Sequence, residues 1–275
     1  MMTTRLVTPF VLCADDYGLN PEVNTAILDL ATKRRISATS VMSLSPGWPE
    51  SAIPLKEVRS VIDIGLHLDL TSDFAMDDGI GESLSAWMLR STARLLQRDA
   101  LERVIEKQLD LFELHVGTAP DHVDGHQHVH QFPVIRDALI RVLSRRYASG
   151  PRPWLRISRA VGPTTDFKAQ VITAMGAKTL ERLAVAHGFA HSSHLSGIYD
   201  FKGSIVQYRN QLRQWLKDLP RGAVLMCHPA KGIYAQSPTP MASVWEYEVL
   251  SSGNFPDLLE ETLTELSKGQ MVFGM

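Results

Sequence analysis

The sequence predicts an α/β protein whose mainly parallel sheet closes into a distorted (β/α) barrel. Apolar strand-like runs alternate with amphipathic helical patterns along the chain, the signature of successive βαβ units. No GxGxxG turn follows the first apolar run, which argues against an open, doubly wound nucleotide-binding sheet. The length, 275 residues, suits one barrel-sized domain spanning residues 1–275.

The first strand is expected at residues 9–14, running into Asp15. A helix opens at Asn20, a capping residue, with Pro21 in the first helical position. Val23, Ala26, Ile27, Leu30 and Ala31 follow it with the spacing of one buried helix face. Residues 38–44 and 61–70 read as the next strands. Residues 99–115 read as a helix with Leu101, Val104, Ile105, Leu109 and Phe112 inward, and residues 133–147 as another. Later strands are expected at 154–157, 188–191 and 223–227, separated by helices near 178–186 and 204–219. A final helix near 256–266 precedes an apolar run at 271–273. Residues 71–81 and 232–241 read as mobile loops, and the chain shows no internal repeat or linker.

Composition excludes several functional classes. There are 28 Lys plus Arg against 30 Asp plus Glu, a net charge of −2, so the basic stripe that nucleic-acid binding requires is missing. No run reaches the 18 or so apolar residues of a membrane span, and the start RLVTPFVLCA lacks the small-residue cleavage site of a signal peptide. Two cysteines, Cys13 and Cys227, each in an apolar run, read as small buried hydrophobes in a reducing, cytoplasmic setting.

Four polar clusters follow apolar strand-like runs: ADDYG at 14–18, GLHLDLT at 65–71, HVDGHQHVH at 122–130 and MCHPA at 226–230. Strands of an α/β barrel end at one face, so Asp15, Asp16, His67, His126 and His228 are expected to converge into one site. Imidazole and carboxylate are donors for Zn²⁺, Mn²⁺ or Fe²⁺, and two His with one carboxylate leave positions for water and substrate. Adjacent carboxylates after a strand point opposite ways, so one can serve a metal while the other faces substrate. In an extended 122–130 segment His122, Asp124, His126, His128 and His130 would line one side, with Asp124 placed to orient a ligating His.

As a set and in this order, ADDYGLN, SATSVM, GLHLDLT, DGHQHVHQFPVIR, VLMCHPA and WEYEVL resemble the YdjC-like (ChbG/HpnK) carbohydrate deacetylases, a branch of the polysaccharide-deacetylase-like barrels. The resemblance runs nearly end to end. It implies hydrolytic removal of acetyl from an N-acetylated carbohydrate, chitooligosaccharide-like or a related glycoconjugate, with one divalent metal ion. It implies Asp16, His67 and His126 as metal ligands, Asp15 as general base, and His228 as the residue assisting the tetrahedral intermediate or the leaving amine. Zn²⁺ suits the donors on softness, Mg²⁺ is admitted by the resemblance, and Mn²⁺ or Co²⁺ are alternatives. Relatives carry consecutive His where this chain has His126, Gln127 and His128, and the segment 72–98 has no clear counterpart. A small carbohydrate is the expected partner, with a homodimer as the expected assembly.

Competing readings are a metal-dependent hydrolase of an ester or phosphodiester, and a sugar-binding module without turnover. The presence of both Asp15 and His228 beside the three candidate ligands counts against a pure binder. His115, His187, His191 and His194 read as structural or solvated. His122, His128 and His130 read equally as packing or as support for the site, and Asp69 and Asp73 as loop caps. Arg156 either braces Asp15 bidentately or makes a surface salt bridge. No GxSxG elbow accompanies HSSHLSG, so a serine hydrolase is disfavoured.

Overall fold

Every strand of the sheet runs parallel to its neighbours, and the chain returns between strands through helices. A computed structural model describes residues 6–162, 167–234 and 240–274. In chain order the elements are β1 (Thr8–Tyr17), α1 (Pro21–Thr32), β2 (Ala38–Val41), α2 (Trp48–Glu57), β3 (Asp63–Leu68), α3 (Asp73–Asp77), α4 (Leu84–Thr92) and α5 (Arg98–Val116). They continue with β4 (His122–Gly125), a 3₁₀ segment (His126–Gln131), α6 (Ile135–Arg146), β5 (Trp154–Leu155), α7 (Phe167–Ala174), α8 (Ala177–Ala186) and β6 (His194–Ser196). The last are α9 (Ile205–Asp218), β7 (Ala223–Cys227), α10 (Pro240–Ser251), α11 (Phe255–Thr262), β8 (Thr264–Leu266) and α12 (Gly269–Phe273).

The strand order is β5-β4-β3-β2-β1-β7-β6, with β8 paired to the start of β1. Between β5 and β6 the ladder is reduced to single parallel bridges, Leu155 to His191 and Ala160 to Leu195. The barrel is therefore distorted, as expected from sequence, and its irregular closure lies beside β5, only two residues long.

Helix α1 forms as its sequence dictates: the Asn20 side chain accepts from the Val23 amide at 3.0 Å, and Val23, Ala26, Ile27, Leu30 and Ala31 are its buried face. Helix α5 buries Leu101, Ile105, Leu109 and Phe112 and stops at Gly117, whose φ of +87° is cheap only for glycine. It packs on α6, where Arg146 binds Glu106, Asp110 and Glu113 at 2.7–2.8 Å.

Some boundaries move. Residues 188–191 turn out of α8 at Gly188 (φ +70°), and the strand forms at His194–Ser196, where it pairs with β7. The helix expected at 256–266 ends at Thr262 and gives way to β8, and the apolar run at 271–273 falls in a further helix, α12. The segment 71–81 contains α3, capped by Ser72. The expected loop 232–241 lies partly outside the described residues, and α10 begins at Pro240. Helix α2 has no expected counterpart; Pro49 sits in its first turn, and Pro54 lies inside it.

Period-2 alternation sorts the strand residues into two layers. Phe10, Leu12 and Ala14 of β1 join the large core shared with the helices. Val11 and Cys13 join a small interior cluster with Ala38, Trp154, Leu195, Val224 and Met226. The next inward positions are polar: Asp15, Ser40, His67, Asp124, Arg156 and His228. Apolar side chains thus fill the lower barrel, and the functional candidates sit above them at the carboxyl ends of the strands.

Candidate active site

β1 carries an extra residue at its end. Ala14 pairs with Thr39 and Tyr17 with Val41, so Asp15 and Asp16 lie in a bulge. Asp16 takes φ +69°, a left-handed conformation that Asp tolerates better than most residues. A regular strand would send Asp16 to the helix side after Ala14. The bulge and positive φ turn it to the histidines instead, while Asp15 stays directed into the barrel.

Asp16 Oδ1 lies 3.3 Å from His67 Nε2 and 3.2 Å from His126 Nδ1. One donor atom from each of these residues falls within 4.8 Å of the others. Burial pushes the Asp16 carboxyl up, but the hydrogen bonds and charge of His126 and His67 outweigh it and leave it well below the usual range. His67 Nδ1 donates to Asp124 Oδ1 at 2.6 Å, which leaves Nε2 facing Asp16. Burial lowers the His67 pKa, but the charge and hydrogen bond of Asp124, the hydrogen bond to Asp16 and the charge of Asp15 together outweigh it and leave it well above the usual range. Asp124 thereby makes His67 Nε2 a better electron donor.

Asp15 is held by Arg156 through two hydrogen bonds of 2.7 and 2.6 Å. Arg156 also meets Asp124 Oδ2 at 2.5 Å and is 0% exposed, so it is a buried brace and not a surface salt bridge. Ser40 ties the cluster together: its hydroxyl donates to Asp124 Oδ2 at 2.6 Å and accepts from His122 Nε2 at 3.0 Å. The His122 ring stacks on Trp154, with centroids 4.4 Å apart. Gly65 makes room for it, because a Cβ there would lie 2.3 Å from the ring.

The segment 122–130 is not extended throughout. β4 ends at Gly125, and Gln127 and His128 are left-handed, with φ of +51° and +63°. His126 consequently swings to Asp16, while His130 Nε2 donates to the Arg156 carbonyl at 2.9 Å and His128 Nδ1 meets Ser158 Oγ at 3.1 Å. Burial lowers the pKa of both, that of His130 to about 4. His122, Asp124 and His130 are fully buried, which makes them supports below the open face.

His228 stands beside Asp15, with Nε2 3.9 Å from Asp15 Oδ2 and its side chain 25% exposed. Its backbone amide donates to Glu246 Oε2 at 2.5 Å, and Tyr199 donates to Glu246 Oε1 at 2.6 Å. The Phe201 ring meets His228 edge-on at 5.6 Å. Sequence reasoning gave no roles to Ser40, Tyr199, Phe201 or Glu246. Ser40 and Glu246 lie inside the quoted SATSVM and WEYEVL motifs, and a polar residue in an apolar pattern was the available signal. Asp69 caps the following turn, accepting from the Thr71 and Ser72 amides at 3.1 and 3.0 Å. Cys13 and Cys227 are free and buried, with thiols pushed up by burial.

Fold and site together define a parallel α/β barrel with a carboxylate–imidazole constellation on its strand-end face. A family model described as YdjC-like protein matches residues 9–261, and the chain belongs to that family. A chitooligosaccharide deacetylase of Serratia marcescens is 30% identical over 131 residues, covering 46% of this chain and 51% of the relative. One of Yersinia pestis (strain Pestoides F) is 30% identical over 132 residues, with the same shares. The chain thus spans about half the length of the curated relatives it matches. Among solved structures, a protein of Enterococcus faecalis V583 named for cellobiose-phosphate cleavage aligns with TM-score 0.70 at 19% identity, covering 97% of this chain and 99% of that one. A family 4 acetyl xylan esterase from Clostridium thermocellum in complex with a cobalt ion aligns with TM-score 0.51 at 10% identity, covering 96% and 90%. These structures share the fold. No helix among the described residues is long and apolar enough to cross a membrane.

Proposed function

We propose that this protein is a metal-dependent carbohydrate N-deacetylase. The observation that carries this reading is the convergence of Asp16, His67 and His126 beside the Arg156-braced Asp15 and His228. The curated deacetylase relatives support the substrate class, an N-acetylated, chitooligosaccharide-like sugar.

Asp16, His67 and His126 would hold one divalent cation. Two imidazoles and one carboxylate suit the zinc class on softness and leave positions open. When bound, such an ion acidifies water and polarises the acetyl carbonyl. Asp15 takes the proton of the attacking water: Arg156 engages each of its oxygens once, and each keeps a further lone pair for that proton. Arg156 fixes the direction of this base and balances its charge in the buried cluster. As the new C–O bond forms and the C–N bond breaks, His228 gives a proton to the leaving nitrogen, releasing acetate and a free amino sugar. The Glu246 contact to the His228 amide and the Phe201 edge set where that imidazole stands. The family match over residues 9–261 supports one domain, and the two buried free thiols suit the cytoplasm.

Chelator-stripped protein is expected to release acetate from N,N′-diacetylchitobiose only when Zn²⁺, Co²⁺, Mn²⁺ or Mg²⁺ is returned. Protein that binds metal stoichiometrically yet releases no acetate, while cleaving an ester or phosphodiester in the same panel, would overturn the reading.

A further inference from the structure

A second concave feature lies outside the constellation, where the chain leaving α4 and the start of α5 meet the first two turns of α6 and one side of α8. It is a groove of about 410 Å³ lined by Arg94, Arg98, Arg136 and Arg141 against one acid, Asp137. Asp137 is already engaged, accepting from the Val134 amide at 3.2 Å at the start of α6. Arg141 is engaged too, with Nε 3.2 Å from Glu102. Arg94 and Arg98 are exposed and have no acidic partner among the described residues.

Arg136 is the most buried of the four arginines. It is 9% exposed; Nη1 donates to the Gln131 carbonyl at 3.0 Å, while its Nε is buried with no hydrogen-bond partner among the described residues. Leaving such a donor unpaired is costly. The guanidinium sits against Gly176, where a Cβ would lie 2.3 Å from Nη1, so the backbone makes room for it. Burial lowers the Arg136 pKa, Asp137 raises it, and Arg94 and Arg182 lower it again. Arg182 donates to Thr179 Oγ1, which also lines the groove, at 3.2 Å. The first turn of α6 contributes Arg136 and Asp137, and α8 borders the groove along its length, from Thr179 in its first turn to His187 at its C-terminal cap.

We infer that this groove binds a phosphate-class dianion. Guanidinium forks match the tetrahedral oxyanion, and its charge relieves the mutual repulsion of Arg94, Arg136 and Arg182. A concavity of this size takes a small molecule. The chain's net charge of −2 leaves no broad basic stripe for a nucleic-acid strand. The source of the dianion is either free phosphate or the monoester of a small metabolite.

The test is titration of the full chain with inorganic phosphate and, separately, with glycerol phosphate, read by calorimetry and by the Nε–H resonance of Arg136. Saturable binding that shifts this resonance, and that weakens about tenfold or more in Arg94→Ala/Arg98→Ala, is the expected result. The arm with tighter binding identifies the source. The double variant removes two exposed side chains, and its thermal midpoint reports whether the fold is kept. Unchanged affinity in the folded double variant overturns the proposal. So does a response that chloride at equal ionic strength reproduces, which means an adventitious ion only. Because neither readout uses turnover, failure here leaves the deacetylase reading standing, and its failure leaves this one.

Discussion

Asp15 and Asp16 are chain neighbours with different surroundings. Asp15 faces a guanidinium and Asp16 faces two imidazoles, so the two carboxylates can divide base and ligand duties. Asp15→Asn keeps the shape but removes the proton acceptor. Its rate of acetate release is expected to fall about 10²–10⁴-fold with metal stoichiometry unchanged; a variant that binds metal and turns over at the parental rate ends the assignment of Asp15 as base. Asp124 acts one step back through His67 Nδ1. Asp124→Asn is expected to weaken metal affinity about 10–100-fold, measured by competition with a chromogenic chelator. The ligand-type residues were legible in the sequence because each stands in a polar cluster after an apolar run. Arg156 and Ser40 were harder to read, since one charge or one hydroxyl in a strand pattern does not reveal what faces it across the barrel.

At the scale of elements, α5 and α6 are held by an apolar seam and by the Arg146 network over it. Burial raises the Glu113 pKa, but hydrogen bonds from Arg146 and Tyr147 outweigh this and leave it lowered from 4.5. A carboxyl whose pKa is depressed in the folded state contributes stability above its unfolded value, and loses it as pH falls through the folded value. Glu113→Gln is therefore expected to flatten the decline in stability below about pH 4.5, followed by urea unfolding from pH 6 to pH 3. An equally steep decline in the variant would show that the pair adds nothing. The cap of α1 offers a simpler check: Asn20→Ala removes the acceptor for the Val23 amide and is expected to cost about 1 kcal/mol by the same method. Helices with one apolar stripe, such as α1 and α5, were readable because their pattern is local. Helix α2 was not, because it carries two prolines and only three buried residues, Trp48, Ala52 and Leu55, so packing and not local pattern holds it.

For the molecule as a whole, the three candidate ligands come from β1, β3 and the segment after β4, so an ion among them would cross-link half the barrel. Binding to the folded state alone raises stability by mass action, about 4 kcal/mol at a thousandfold excess over the dissociation constant. Added Zn²⁺ is expected to raise the thermal midpoint of parental protein and to leave that of His126→Ala nearly unmoved. An equal rise in both would place the ion elsewhere.

The sequence by itself determined the alternation of strands and helices, the buried faces of α1 and α5, and the residue types gathered at the strand ends. Those properties are local, set by period and side-chain chemistry. Only the tertiary structure decided that Asp16 turns to the histidines, that residues 126–131 curl so that His126 meets it, and that Arg156 is buried against Asp15 and Asp124. A bulge, two left-handed residues and a buried ion pair are paid for by partners far along the chain, and no local pattern contains those partners.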